Sequence, residues 1–270
     1  MKSTPAPRAI LATDLDGTLL QADGSVSPRT REVLGRARDS RVEVVFITGR
    51  PPMFLPAVVA EAGHTGAVIC ANGSVTLDAA TMVPDRVHTF APTVLAEVLS
   101  RMVASMPGSE YRTMMHRPGE DSIRVIGEGA AYPRLIGDRV AAGWQVFKLA
   151  VIGPDHHTPD SFLALAAGTL GTLAEVTHSS YGLPLVEIGP RGVSKGSALA
   201  AHAAAVGVPR ADVHAVGDMP NDLPMLTVAG RSYAVANAHP DVIGAVGRVL
   251  PSNAEDGVAV LLEELLHQYG

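Results

Sequence analysis

Apolar positions in the first 75 residues recur in two alternating rhythms. "RAILATDLD" is apolar through Ile10 and Leu11, with small Ala12 next, which predicts a buried strand over 9–14. Ser27-Pro28 reads as a cap followed by proline at the first helical position, so a helix is expected from Pro28 to about Ser40. "VEVVFITG" (42–49) is the next strand, Pro51-Pro52 permits only a loop or a helix start, 54–62 is helical, and "GAVICANG" (66–73) is a third strand. Apolar strands separated by helical patterns are the signature of a parallel sheet covered on both faces. The same grammar returns late in the chain. "SKGSALAAHAAAVG" (194–207) is helical with Gly207 as its stop, "DVHAVGD" (212–218) is a strand, 221–229 a short helix and "RSYAVAN" a strand. A short helix (241–247), a short strand "RVLP" and a final helix (255–268) complete it.

The middle reads differently. Leu95, Val98, Leu99, Met102, Val103 and Met106 share one face at three-to-four spacing, an amphipathic helix over 92–106. "SEYRTMMHR" and "DSIRVIGEG", separated by "PGE", form a predicted hairpin. "WQVFKLAVIG" is a strand, 160–170 a helix, and "AEVTHSSYGLPLVEI" two further strand-like pieces. The expected fold class is therefore α/β: a Rossmann-like, doubly wound parallel sheet with an inserted α+β unit. The predicted boundaries put residues 1–84 and 186–270 in the sheet domain and 85–185 in the insert.

Composition narrows the possibilities. The 270 residues are 47% apolar and 18% charged, enough for a sizeable core and too apolar for global disorder. A net charge of −6 with no basic stripe argues against a nucleic-acid partner. Cys70 is the single cysteine, so no disulfide forms within the chain; a reducing, cytoplasmic setting is expected and Cys70 reads as core. The N-terminal "MKSTPAPRA" lacks the apolar stretch of a signal peptide, and no membrane span is expected.

The candidate chemistry lies where strands end. In an open parallel sheet, ligands bind beyond the carboxyl ends of the strands. Asp14 and Asp16 end the first strand, Thr48, Gly49 and Arg50 the second, and Gly217 and Asp218 the strand after the insert, followed by Asn221 and Asp222. Lys195 opens the helix that follows the insert. Acids, a hydroxyl and an ammonium converging on one edge suit phosphoryl transfer. Carboxylates bind a hard divalent cation such as Mg²⁺, and a carboxylate can also serve as the nucleophile. A second carboxyl group can protonate the leaving oxygen, and a hydroxyl and an ammonium can hold phosphate oxygens.

"DLDGTLL", "ITGR", Lys195 in "VSKGSAL" and "GDMPNDLPML" resemble, in that order, the four signature motifs of the haloacid dehalogenase-like hydrolase superfamily. "ANGS" (71–74), "EIGPRGVSKG" (187–196) and "SNAEDGVAVLLEEL" (252–265) resemble its Cof-type branch, which carries a large C2-type (IIB) cap inserted into the core. The resemblance implies Asp14 as nucleophile and Asp16 as general acid/base. It implies Asp14, the Asp16 carbonyl and Asp218 as Mg²⁺ ligands, with Asp222 orienting the metal's waters. It places Leu15, Thr48, Gly49, Lys195 and Asn221 on the phosphate side, and the insert as the specificity cap. Arg50 and Asn72, near strand ends, are expected to shape the substrate pocket.

The implied activity is hydrolysis of a small phosphomonoester, by resemblance a sugar phosphate, in a monomer or homodimer. A phosphomutase or phosphotransferase on the same framework, or a noncatalytic phosphometabolite-binding protein, are the alternatives. His156-His157 has no partner at ligand spacing and reads as a solvated loop. His178, Ser179 and Ser180 either face substrate or are ordinary strand polarity.

Overall fold

Ala9–Thr13 (β1) is buried at every position, as a strand covered on both faces must be. In the computed structural model, which describes residues 6–119, 123–127, 132–178 and 182–270, the chain then alternates helix and strand. Ser27 caps α1 (Pro28–Ala37) by accepting from the Thr30 N–H; β2 (Val42–Ile47), α2 (Pro56–Ala62) and β3 (Ala67–Cys70) follow. Two strands not anticipated from the sequence come next, β4 (Val75–Asp78) and β5 (Pro84–Val87). Within β5 the chain passes from one compact unit, up to Asp85, into a second unit, Arg86–Val193.

The second unit contains α3 (Pro92–Ser105), β6 (Glu110–His116), β7 (Ile123–Ile126), α4 (Tyr132–Ala141), β8 (Gln145–Ile152), α5 (Pro159–Leu170), β9 (Ala174–Thr177) and β10 (Leu185–Pro190). Its strands form an antiparallel sheet in the order β7-β6-β8-β10-β9. One face of that sheet carries Tyr111, Met115, Leu149, Val151, Val186 and Ile188 into a core shared with α3, α4 and α5. β10 pairs with β8 and β9, so this unit runs to Val193 rather than to 185.

The first unit resumes at Ser194 with α6 (Lys195–Val206), β11 (Val213–Gly217), α7 (Leu223–Val228), β12 (Arg231–Val235), α8 (Pro240–Ala245), β13 (Arg248–Leu250) and α9 (Gly257–Tyr269). Among the described residues its sheet has eight strands in the order β13-β12-β11-β1-β2-β3-β4-β5. β13 through β3 are parallel, and β4 turns back antiparallel on β3. α1 and α9 pack together over β1 and β2, whereas α6 packs on α7 and β3, and α7 on β11 and β12. The order reverses direction at β1, the switch point at which doubly wound sheets bind ligands.

Two imidazoles are buried in this unit. His64 stacks on Phe46 with centroids 3.9 Å apart and donates from Nε2 to Ala67 O at 3.2 Å. His214 is fully buried, with Nδ1 3.1 Å from the Tyr233 hydroxyl. Burial pushes each imidazole down from 6.5 to about 4. The unfolded chain therefore takes up protons between pH 6.5 and 4 that the folded chain refuses. The contribution of each imidazole to stability is therefore expected to fall as the pH is lowered through that window, by up to about 3 kcal/mol. Urea unfolding of the parent and of His64→Phe at about pH 7 and about pH 4.5 isolates the effect: the change on acidification should be less favourable in the parent than in the variant, and an identical pH dependence in the two would contradict it.

Candidate active site

The parallel register sets three chain ends side by side. Thr13 pairs with Phe46 on β2 and with Val216 on β11, so Asp14, Thr48 and Asp218 leave the sheet at the same edge. The Asp14 N–H still donates to Val216 O at 3.0 Å, and the Thr48 N–H to Ile69 O at 2.9 Å, which fixes both backbones as they depart. Lys195 arrives from the helix side. It is the first residue of α6, whose Ser194 and Ser197 close a reciprocal capping box.

Only 1% of Lys195 is exposed, and its Nζ donates to Asp14 Oδ1 and to Asp222 Oδ1, each at 2.6 Å. The second oxygen of Asp222 accepts from the Asp218 and Met219 N–H groups at 3.0 Å each. Thr18 Oγ1 donates to Asp218 Oδ1 at 2.9 Å. Between Asp14 and Thr18 the chain turns at Gly17, at φ +77°. A Cβ at Gly17 would collide with Asp218 Oδ2, so only glycine lets the two loops approach this closely.

Electrostatically the cluster is short of positive charge. Burial raises Asp14 well above the usual carboxylate range; Lys195 pulls it back, while Asp222 and Asp218 push it up. Burial, then Asp222, lifts Asp218 to about 7. Burial alone would depress Lys195, but Asp14 and Asp222 outweigh it and hold the ammonium above its ordinary value. Three carboxylates thus share one ammonium. Asp14, Asp218 and Asp222 each bring an oxygen within 4.8 Å of the others. Both oxygens of Asp222 are engaged, whereas Oδ2 of Asp14 and Oδ2 of Asp218 have no hydrogen-bond partner among the described residues. An all-oxygen donor set with two open carboxylate oxygens and excess negative charge fits a hard divalent cation.

The other predicted residues fall around this cluster. The Leu15 side chain is fully buried, so it can reach a ligand only through its backbone. Thr48 is buried, and its Oγ1 accepts from the Arg50 N–H at 3.0 Å; Gly49 lies between the two. Asn72 follows β3 at φ +55°, and its Oδ1 accepts from Asn221 Nδ2 at 3.2 Å. Asn221 Oδ1 is buried without a hydrogen-bond partner among the described residues. Arg50 grips Asp16, with Nε donating to Oδ2 at 2.8 Å and Nη2 to Oδ1 at 2.5 Å.

His178 belongs to the second unit, buried with Nε2 3.6 Å from Asp160 Oδ1; Ser179 and Ser180 lie outside the described residues. Two contributors escaped the sequence reading, Thr18 and Asn237. Asn237 Nδ2 donates to Gly17 O at 2.8 Å, while its Oδ1 accepts from the Asn253 N–H at 2.9 Å, bracing the turn after Asp16. Its signal was available: Asn237 follows β12, another strand of the parallel sheet, at the carboxyl end that singled out Asp14 and Asp218.

A family model described as haloacid dehalogenase-like hydrolase matches residues 11–102 and 139–262, most of the chain and every residue of the cluster. The chain belongs to the haloacid dehalogenase-like hydrolase family. This hydrolase is 31% identical to a phosphoglycolate phosphatase of Halobacterium salinarum, over 94% of its own length and 96% of the relative's. It is 28% identical to the 5-amino-6-(5-phospho-D-ribitylamino)uracil phosphatase of Bacillus subtilis, over 95% and 97% of the two chains. Its fold matches that of a haloacid dehalogenase-like hydrolase from B. subtilis with a TM-score of 0.78 at 22% identity, covering 96% of this chain and 100% of that one. Among the described residues no helix is long and apolar enough to cross a membrane.

Proposed function

We propose that this hydrolase is a Mg²⁺-dependent phosphatase that cleaves a small phosphomonoester, a sugar phosphate by default, through a phosphoryl group carried briefly on Asp14. The observation that carries the reading is the buried Lys195 bridging Asp14 and Asp222 beside Asp218, at the carboxyl ends of β1 and β11. That the named relatives act on phosphoglycolate and on a phosphoribityl compound supports a small phosphomonoester.

In this reading one oxygen of Asp14 attacks phosphorus, and the bond from phosphorus to the leaving oxygen breaks. Asp16 gives its proton to that oxygen as it departs. Water then attacks the same phosphorus, the bond to Asp14 breaks, and Asp16 takes the water's proton, releasing inorganic phosphate and restoring both carboxyl groups. Thr48 and Lys195 hold the equatorial phosphate oxygens, where transition-state charge is spread, with Asn221 and the backbone of Leu15 and Gly49 beside them. A Mg²⁺ held by Asp14, Asp218 and the Asp16 carbonyl, with Asp222 steadying its waters, would offset the repulsion between carboxylates and phosphate. The second unit serves as the cap that selects substrate, in a cytoplasmic enzyme.

A panel of phosphorylated metabolites assayed for inorganic phosphate tests the reading. Turnover is expected with Mg²⁺, to fall at least about 100-fold in excess EDTA, and to return when Mg²⁺ is restored. Undiminished turnover in EDTA, or transfer of the phosphoryl group to an added sugar in place of its release, would overturn it.

A further inference from the structure

We propose that Arg50 is a positioning residue for Asp16, and that its planar fork, rather than its charge, makes the enzyme competent toward substrates whose leaving group needs a proton. The inference rests on the reading of Asp16 as general acid/base.

Asp16 lies in the turn between Asp14 and Gly17, and its side chain is 54% exposed. A carboxylate so placed rotates freely unless something holds it. Among the described residues its side-chain oxygens have one hydrogen-bonding partner, the Arg50 guanidinium, which meets both of them. Two parallel N–H···O bonds fix the carboxylate plane as well as its place, which a point charge does not do.

Arg50 is itself held. Its N–H donates to Thr48 Oγ1 at 3.0 Å, and its carbonyl accepts from the Ala71 N–H at 2.9 Å. The Asn72 N–H, one residue on, donates to Thr48 O at 3.1 Å. Ala71 and Asn72 adopt φ of +51° and +55°, a backbone that side-chain-bearing residues rarely take, so the turn after β3 is bent to hook under Thr48 and Arg50. Gly73 completes it, since a Cβ there would collide with Ser194 O, just before Lys195. The chain thus fixes the base of Arg50 from two sides and leaves its fork to orient Asp16.

If Arg50 acts through Asp16, its loss should resemble the loss of Asp16. An alkyl phosphate needs a proton on its departing oxygen, whereas p-nitrophenolate leaves as a stable anion. In the enzyme with Mg²⁺, Arg50→Ala and Arg50→Lys are both expected to lose at least about tenfold more kcat/KM on glycerol 2-phosphate than on p-nitrophenyl phosphate, as is Asp16→Asn. Placed on Asp16→Asn, Arg50→Ala should change turnover by less than about twofold. Thermal melts check folding; should Arg50→Ala fail to fold, Arg50→Lys carries the same comparison. Parent-like turnover of the alkyl ester in Arg50→Lys, or a rise in KM for both esters that persists in the Asp16→Asn background, would make Arg50 a substrate-binding charge and overturn the proposal. Asp16→Asn without leaving-group selectivity would instead refute the acid/base role of Asp16, and the positioning role with it.

Discussion

Asp14→Asn is expected to lower Mg²⁺-dependent phosphate release by at least about 10³-fold while leaving the fold intact. The substitution keeps the shape, and its carbonyl oxygen can still accept from Lys195, whose Nζ lies 2.6 Å from Asp14 Oδ1. What it removes is a negative oxygen able to bond phosphorus. It also takes one carboxylate from a buried cluster in which Asp14 and Asp218 are already pushed toward protonation by burial and by neighbouring acids. The melting temperature should therefore hold or rise. A purified Asp14→Asn protein assayed with p-nitrophenyl phosphate, with a parallel thermal melt, gives both readings. Turnover within about tenfold of the parent would remove Asp14 as nucleophile.

Lys195→Met should abolish activity and, unlike the first variant, weaken the fold. Methionine fits the volume of the lysine stem, but it leaves Asp14 and Asp222 facing each other at a site with 1% exposure. Removing one partner of a buried ion pair costs about 3–5 kcal/mol, because the stranded charge has no solvent to take its place. Mg²⁺ should return part of that loss by supplying positive charge to the same carboxylates. Denaturant melts with and without Mg²⁺ measure both quantities. A variant as stable as the parent would mean that the ammonium does not neutralise the cluster.

These two residues also show what was readable in advance. Asp14 and Asp218 end apolar runs, and an apolar run that stops at a carboxylate marks a strand leaving the sheet toward solvent or ligand. The parallel core was legible for the same reason, since β1, β2 and β11 are buried along nearly their whole length and read as apolar segments interrupted only by Glu43 and His214 before their ends. β4 was missed because its alternation, with Val75 and Leu77 buried, lasts only four residues, and β5 because it carries little apolar pattern and buries none of its four residues fully. α4 was also missed, although Tyr132, Ile136 and Val140 recur at four-residue spacing on its core side; Pro133 and Gly137 within the segment lower its intrinsic helix propensity.

By itself, the sequence determined which residue types sit at the strand ends, and hence the chemical class of the site. Local pattern is enough for that, because strand, turn and cap preferences act over a few residues. Tertiary structure alone decided the pairing. Lys195 lies 181 positions from Asp14 and 27 from Asp222, yet one ammonium serves both. Arg50 and Asp16 are 34 positions apart, and Asn237 reaches back 220 positions to Gly17 O. Such partners are chosen by the register of parallel strands and by where charge can be buried against opposite charge, and neither leaves a periodic trace along the chain.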